Sequence, residues 1–264
     1  MEIYNRLWRL FFAIALVSIA VQQFICSGFR PVIMPPEPAF IGQSTFCMCI
    51  SGILLILVSA AIISGINSHI VADYLGAFML LMILLSHVPY NIKINQFFLA
   101  GWNDAFKLLA LCGGAFIVAT SIPSDRVSGI DAVTEKLRPA GPYFFATTMI
   151  VFGIEHFIYP KVVALLVPSW IPFHLFWAYF AGIALIAAGT AIILKFKVKL
   201  AATLLAIMLF LWLVIIHIPR ALDTTIVDRA NEWTSVFEAL AFSGIAFLIA
   251  GTYKPAQPAA VGNS

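Results

Sequence analysis

Charge is what this sequence has least of. Only 10% of its 264 residues are Asp, Glu, Lys or Arg, and 62% are hydrophobic, where a soluble domain carries about 25% charged residues. That shortage excludes a soluble globular fold, which has to cover its apolar interior with polar groups. The net charge of +3 comes from scattered basic residues, so there is no basic stripe of the kind a nucleic acid needs. Cysteine is scarce as well. Cys26, Cys47, Cys49 and Cys112 show no CxxC or similar metal-site spacing. A cleavable leader is also not evident: Arg6 and Arg9 precede an apolar run, but no small-x-small cleavage site follows cleanly. That segment has a counterpart later in the chain and is read as the first helix.

What is present is a series of uncharged apolar runs, and a spanning helix needs about 20 such residues. Residues 10–29, 38–72, 74–92, 108–124, 139–154, 162–194, 200–219 and 239–253 contain no Asp, Glu, Lys or Arg. They predict helices near 8–26, 46–66, 70–89, 104–121, 142–159, 174–194, 199–219 and 234–252. The expectation is an all-α polytopic membrane helical bundle of eight transmembrane helices, lying in the inner (plasma) membrane with the lipid bilayer as its surroundings. Short connections near 67–69 and 195–198 make helices two and three, and six and seven, antiparallel neighbours. Nine basic residues fall on the side of the termini and five on the other. By the positive-inside rule both termini are cytoplasmic.

The chain repeats itself. Phe11-Phe12-Ala13 matches Phe144-Phe145-Ala146 at a shift of 133, which also aligns Gln22-Gln23-Phe24 with Glu155-His156-Phe157. At a shift of 130, Gly52-Ile53 matches Gly182-Ile183 and His87-Val88-Pro89 matches His217-Ile218-Pro219. At 131, Trp102 pairs with Trp233, Phe106 with Phe237 and Gly113 with Gly244. The reading is two parallel four-helix repeats, residues 1–127 and 128–264, the second with a C-terminal tail. An even number of helices per unit brings both units in from the same side, related by an axis along the membrane normal.

Ionisable residues inside a membrane usually face a bundle interior or a cavity. With this topology they gather at one depth, in the outer third of the bilayer. Gln22, Gln23, Glu155 and His156 end helices one and five. His87 and His217 end helices three and seven. Trp102, Asp104 and Lys107 open helix four, and Trp233 and Glu238 open helix eight. Each has a plain reading beside a functional one. A His before a Pro that stops a helix bonds a free carbonyl, or two symmetry-related imidazoles form a shared site. Two His also suit a haem or a metal, without the further ligand spacing such a site shows. Glu155-His156 is either a wet interfacial pair or a proton shuttle. Lys107 and Glu238, matched positions of opposite sign, are either a structural tie across the axis or part of a site. Arg220 anchors at the interface or holds an anionic or carbonyl group.

The loops after helices one and five are apolar, Pro-rich and too short to span. Residues 31–40 and 162–173 therefore read as interfacial or re-entrant flaps over the polar cluster, with Trp170 an interface anchor. Cys26, Cys47 and Cys49 sit near the outer ends of helices one and two. They read as inert by default, with a Cys26 disulfide to Cys47 or Cys49 open on an oxidising side.

Several stretches resemble the DoxX-like membrane proteins: the FFA motif in a four-helix unit, Glu155-His-Phe-Ile-Tyr-Pro160, Val167-Pro-Ser-Trp-Ile-Pro172, His217-Ile-Pro-Arg220 and Asn231-Glu-Trp-Thr-Ser235. The resemblance covers the second half well and the first weakly, and the usual member has one four-helix unit where this chain has two. It implies membrane redox work, since the wider family includes a thiosulfate:quinone oxidoreductase subunit. The expectation is a redox component that takes a quinone, with haem a weaker candidate, and that works beside a membrane redox partner subunit. His156, His217 and Glu155 are then the catalytic candidates. His87, Gln23, Arg220, Trp233, Glu238 and Lys107 bind the cofactor. A small-molecule or lipid transporter, and a non-catalytic partner of a membrane complex, are the alternatives.

Overall fold

The computed structural model describes residues 2–123 and 130–254. Eight long helices account for most of them: α1 Glu2–Ile25, α2 Thr45–Ser64, α3 Ser68–Ile94, α4 Leu99–Thr120, α5 Gly141–Ile158, α6 His174–Ile193, α7 Val198–Leu222 and α8 Arg229–Thr252. All except α5 are long and apolar enough to cross a membrane, and the protein is a multi-pass membrane protein on that ground. α5 has 18 residues, with Gly141 and Pro142 at one end and Glu155-His156 at the other. The expected boundary at 127/128, and Arg126 of the basic-residue count, lie outside the described residues.

Local chemistry sets the helix ends. The Ser44 hydroxyl accepts the Cys47 N–H at 3.3 Å and opens α2. Gly65, at φ 80°, closes it in the left-handed conformation that only glycine takes freely. Asp228 opens α8 by accepting the Asn231 N–H at 3.2 Å. α1 starts at Glu2 rather than near residue 8, because Arg9 is held inside the bundle. Its guanidinium donates to the Ser121 carbonyl at 2.9 Å.

The sequence places helix ends at Pro89 and Pro219, but neither proline ends its helix. α3 passes through a π-helical turn at Ile83–His87 and continues to Ile94. α7 passes through one at Leu213–His217 and continues to Leu222. A proline lacks the N–H that the carbonyl four residues earlier needs. A widened turn re-pairs the freed groups and lets the helix run on.

The helices close into a ring. Each packs on its neighbours in sequence, α8 returns to α1, and α4 and α8 touch across the middle. α4 and α8 are accordingly the most buried, two thirds of each apolar stretch lying inside the protein. Small residues set the closest approaches. A Cβ on Gly113 of α4 would lie 2.5 Å from the Gly141 carbonyl of α5, and one on Gly244 of α8 would lie 2.8 Å from the Trp8 carbonyl of α1. At the N-terminal end of α3, buried Asp73 takes a bidentate grip from Arg138, with Nε 2.9 Å from each carboxylate oxygen. Hydrogen bonding to Asp73 holds the Arg138 guanidinium above its ordinary pKa.

The two expected flaps differ. Val32, Ile33 and Met34 are buried in the bundle, whereas Val162, Leu165 and Trp170 are exposed. All four cysteines are free thiols. Cys112 donates to the Gly76 carbonyl at 3.2 Å.

Candidate functional site

At the end of the bundle away from the N-terminus, helix ends from around the ring bring their polar residues together. Lys107 of α4 is the hub. Its Nζ lies 3.0 Å from Oε2 of Glu238 on α8 and 3.6 Å from Oδ1 of Asp104. Glu155, at the end of α5, is buried facing Asn103 and the Lys107 charge. His217, at the π-turn of α7, lies within the fields of Lys107, Glu232 and Arg220. His87, at the π-turn of α3, is almost fully buried, with Asp104 as its charged neighbour and the Ile33 backbone against its ring. The first-half flap thus reaches the cluster, as its composition predicts.

A second set of contacts joins α1 to α8. The Thr234 hydroxyl donates to Gln22 Oε1 at 2.9 Å, and the Gln22 amide donates to the Ala230 carbonyl. Arg30 donates from Nε to the Thr234 hydroxyl at 3.0 Å and from its terminal nitrogen to Asn231, and its charge reaches Glu238. Gln23 is fully buried and turns the other way, its amide donating to Ser51 of α2 at 3.2 Å.

Three candidates are held elsewhere or already occupied. Glu155 and His156 are adjacent in sequence but about 100° apart around a helix of 3.6 residues per turn. His156 Nδ1 lies 2.7 Å from the Phe152 carbonyl, so that nitrogen carries a proton. Its ring stacks on Trp212 of α7, centroids 6.1 Å apart. Arg220 grips Glu232, with Nε 3.0 Å from Oε2 and the second fork atom on Oε1. The fork that could take an anionic head group is filled by the protein's own carboxylate. Trp233 stacks on Phe237.

Among the described residues, five buried side-chain atoms have no hydrogen-bond partner: Gln23 Oε1, His87 Nε2, Asn103 Oδ1, Glu155 Oε1 and Glu238 Oε1. All five belong to this one end of the bundle. A buried unpaired polar atom costs about 1–3 kcal/mol, so five at one end mark a place prepared for waters or for a polar ligand. Four of the five are oxygens that want a donor.

Residues 145–252 match a family model described as a domain of unknown function (DUF8561). No curated protein and no solved structure matches the chain. The matched stretch carries Glu155, His156, His217, Arg220, Trp233 and Glu238, while Gln23, His87 and Lys107 lie outside it. Among the described residues, no three of His, Cys, Asp and Glu gather as metal ligands do.

The sequence reading assigned no site role to Arg30, Asn103, Thr234 or Glu232. The signal for two of them lay in the repeat. The shift that pairs Trp102 with Trp233 also pairs Asn103 with Thr234. Thr234 bonds Gln22 as Asn103 faces Glu155, so one polar contact is built twice.

Proposed function

We propose that this is an eight-span protein of the inner (plasma) membrane, with both termini cytoplasmic and two like-oriented four-helix units. Its buried polar centre, near the outer face, holds the head of a lipid-soluble carrier of the quinone class. Three features support the two-unit architecture. The helix contacts are the same in each half, with α1 on α8 mirrored by α5 on α4. The π-turns at His87 and His217 fall at matched positions. The backbone approaches at Gly113 and Gly244 do too.

The observation that carries the ligand reading is the set of five orphaned atoms at this end of the bundle. In a bilayer, a ligand reaching them has to be lipid-soluble, with a small head able to hydrogen bond. A quinol donates two hydroxyls, which suits the free oxygens of Glu155, Asn103 and Glu238. A quinone accepts, which suits Lys107. Interconversion of a quinone and its quinol moves two protons together with two electrons. In this reading Glu155 and His217 exchange the protons with the carrier's oxygens, and a membrane redox partner subunit exchanges the electrons. The resemblance to DoxX-like proteins supports the same reading. His156 Nδ1 is held by the Phe152 carbonyl and its ring stacks on Trp212, so the reading rests on Glu155 and His217 rather than on His156.

The test is binding of short-chain ubiquinone and menaquinone analogues to the purified protein in nanodiscs. Saturable binding that Glu155→Gln and His217→Ala each weaken at least tenfold is the expected result. Absence of binding to the unaltered protein, or equal binding to all three, ends the reading. Uptake of a solute by proteoliposomes would instead favour a transporter, which a cluster confined to one end of the bundle does not.

A further inference from the structure

A cleft of about 280 Å³ opens between α2 and α3, lined by Leu54 and Val58 on one side and Phe78, Met79 and Met82 on the other, with Leu108 of α4 behind. That is close to the lower end of the roughly 300–1,000 Å³ of small-molecule sites. Leu54 and Phe78 are about half exposed, so the cleft opens sideways to lipid rather than to water. It runs along the helix axes. Val71 and Met82, the first and last of its α3 residues, are eleven residues apart, or about 16 Å at 1.5 Å per residue.

One end of this apolar cleft meets the polar centre. Ser51 lines it and is the residue to which the Gln23 amide donates. Ile33 lines it too, and the backbone of Ile33 lies against the His87 ring. Gln23 Oε1 and His87 Nε2, two of the orphaned atoms, therefore stand just behind the cleft. A long apolar slot whose lining residues Ser51 and Ile33 contact Gln23 and His87, both bearing unpaired polar atoms, is complementary to one kind of ligand: an amphipathic, membrane-soluble molecule with an extended chain and a small polar head.

The matched place in the second half is built differently. The shift of 130 pairs Met82 with Trp212, and the shift of 133 pairs Gln23 with His156. Trp212 and His156 stack on each other at 6.1 Å, planes 18° apart. His156 also packs tightly on Gly182, where a Cβ would lie 2.8 Å from the His156 Cβ. In place of a flexible thioether and an amide there are two locked rings.

We infer that the α2–α3 cleft is the seat for the chain of the ligand whose head the polar centre holds, and that Trp212 on His156 closes the equivalent seat between α6 and α7. The inference rests on the head-group reading above only for the identity of the head. Chain recognition then belongs to the first half alone, with Met82 as the residue that keeps the seat open.

The test uses the full chain in nanodiscs and two probes with one benzoquinone head, bearing either a decyl or a methyl substituent. Concentrations are taken as mole fractions in lipid, so that partitioning cancels. The decyl probe should bind at least tenfold tighter. Met82→Trp, and independently Val58→Phe from the opposite wall, should erase that advantage and leave the methyl probe within twofold of the unaltered protein. Trp212→Phe should change neither. If both cleft variants leave the decyl probe unaffected, or weaken both probes alike, the inference is overturned. A third probe, a decyl chain carrying a diazirine and no quinone, separates this from failure of the head-group reading. Crosslinks on α2 and α3 that Met82→Trp abolishes support the chain seat even if no quinone binds. Crosslinks indifferent to that substitution overturn it.

Discussion

Lys107 and Glu238 occupy matched positions of α4 and α8 and meet at 3.0 Å in the middle of the ring. The pair joins the two most buried helices, one from each half. Glu238 is 3% exposed, so removing Lys107 leaves a buried carboxylate, whereas removing Glu238 leaves Lys107 its second partner, Asp104, at 3.6 Å. Taking one charge from a buried pair leaves the other uncompensated and costs about 3–5 kcal/mol, whereas replacing both with apolar groups of similar size is often neutral. Lys107→Met and Glu238→Met should therefore each lower the thermal midpoint in detergent. The double variant should be more stable than either single one. A double variant that loses the sum of the two would show that the residues act independently, and the tie between α4 and α8 would have to be given up.

The proposed eight-span architecture makes a topological prediction that does not depend on any ligand. Eight spans return the chain to the side it started from, and seven do not. Cysteines introduced at residue 3 and at residue 254, in a background lacking the four native thiols, should react with an impermeant maleimide only after the membrane is opened. Labelling of one terminus from outside intact cells would mean that α5 does not cross, and the two-unit reading would fail with it.

Much of this fold is legible in the residues. Breaks between uncharged runs locate all eight helices, because lipid tolerates a charge only at a helix end or inside a bundle. The repeat matches Lys107 with Glu238, and the two meet at 3.0 Å. What composition does not reveal is direction around a helix. Glu155 and His156 read as one functional pair, yet a single step along the helix sends one toward Asn103 and the other onto Trp212. Arg220 reads as an interfacial anchor or as the holder of an anionic or carbonyl group, and only the approach of Glu232 from the start of α8 shows that its fork is taken. The cleft is invisible for a similar reason: its walls are the same apolar types that face lipid elsewhere.

Asp223, in the loop between α7 and α8, gives a pH-dependent signal clear of the membrane-spanning segments. It accepts the Thr225 hydroxyl at 2.7 Å and the Thr225 N–H at 2.9 Å. Those bonds, with smaller help from Arg220 and Arg229, hold its carboxyl below the ordinary value. A depressed carboxylate contributes its bonds above its ordinary pKa and loses them as pH falls through the lowered one. Amide exchange at Thr225, corrected for the intrinsic pH dependence of exchange, should stay protected through mild acid and speed up only below the usual aspartate range. Asp223→Ala should abolish that protection at every pH. Protection that survives the substitution would assign it to the backbone of the turn instead.

The prolines carry the last prediction. Pro89 and Pro219 each follow a π-turn that ends on a histidine, and both turns sit beside the polar centre. Proline inside a helix costs about 3 kcal/mol where nothing compensates, and a π-turn accompanies both of these at matched positions. If their role is to widen the turn and aim His87 and His217 inward, Pro89→Ala or Pro219→Ala should let the helix tighten to regular α geometry. Stability should then hold or rise, by less than the roughly 3 kcal/mol that an uncompensated proline costs. Ligand binding should fall at least tenfold as the rings turn away from the centre. Thermal unfolding and quinone-analogue binding measured on the same preparations separate this from a structural role. A proline needed only for folding would lower the unfolding midpoint while leaving the affinity of the surviving folded protein unchanged, and that pattern would remove the π-turns from the site.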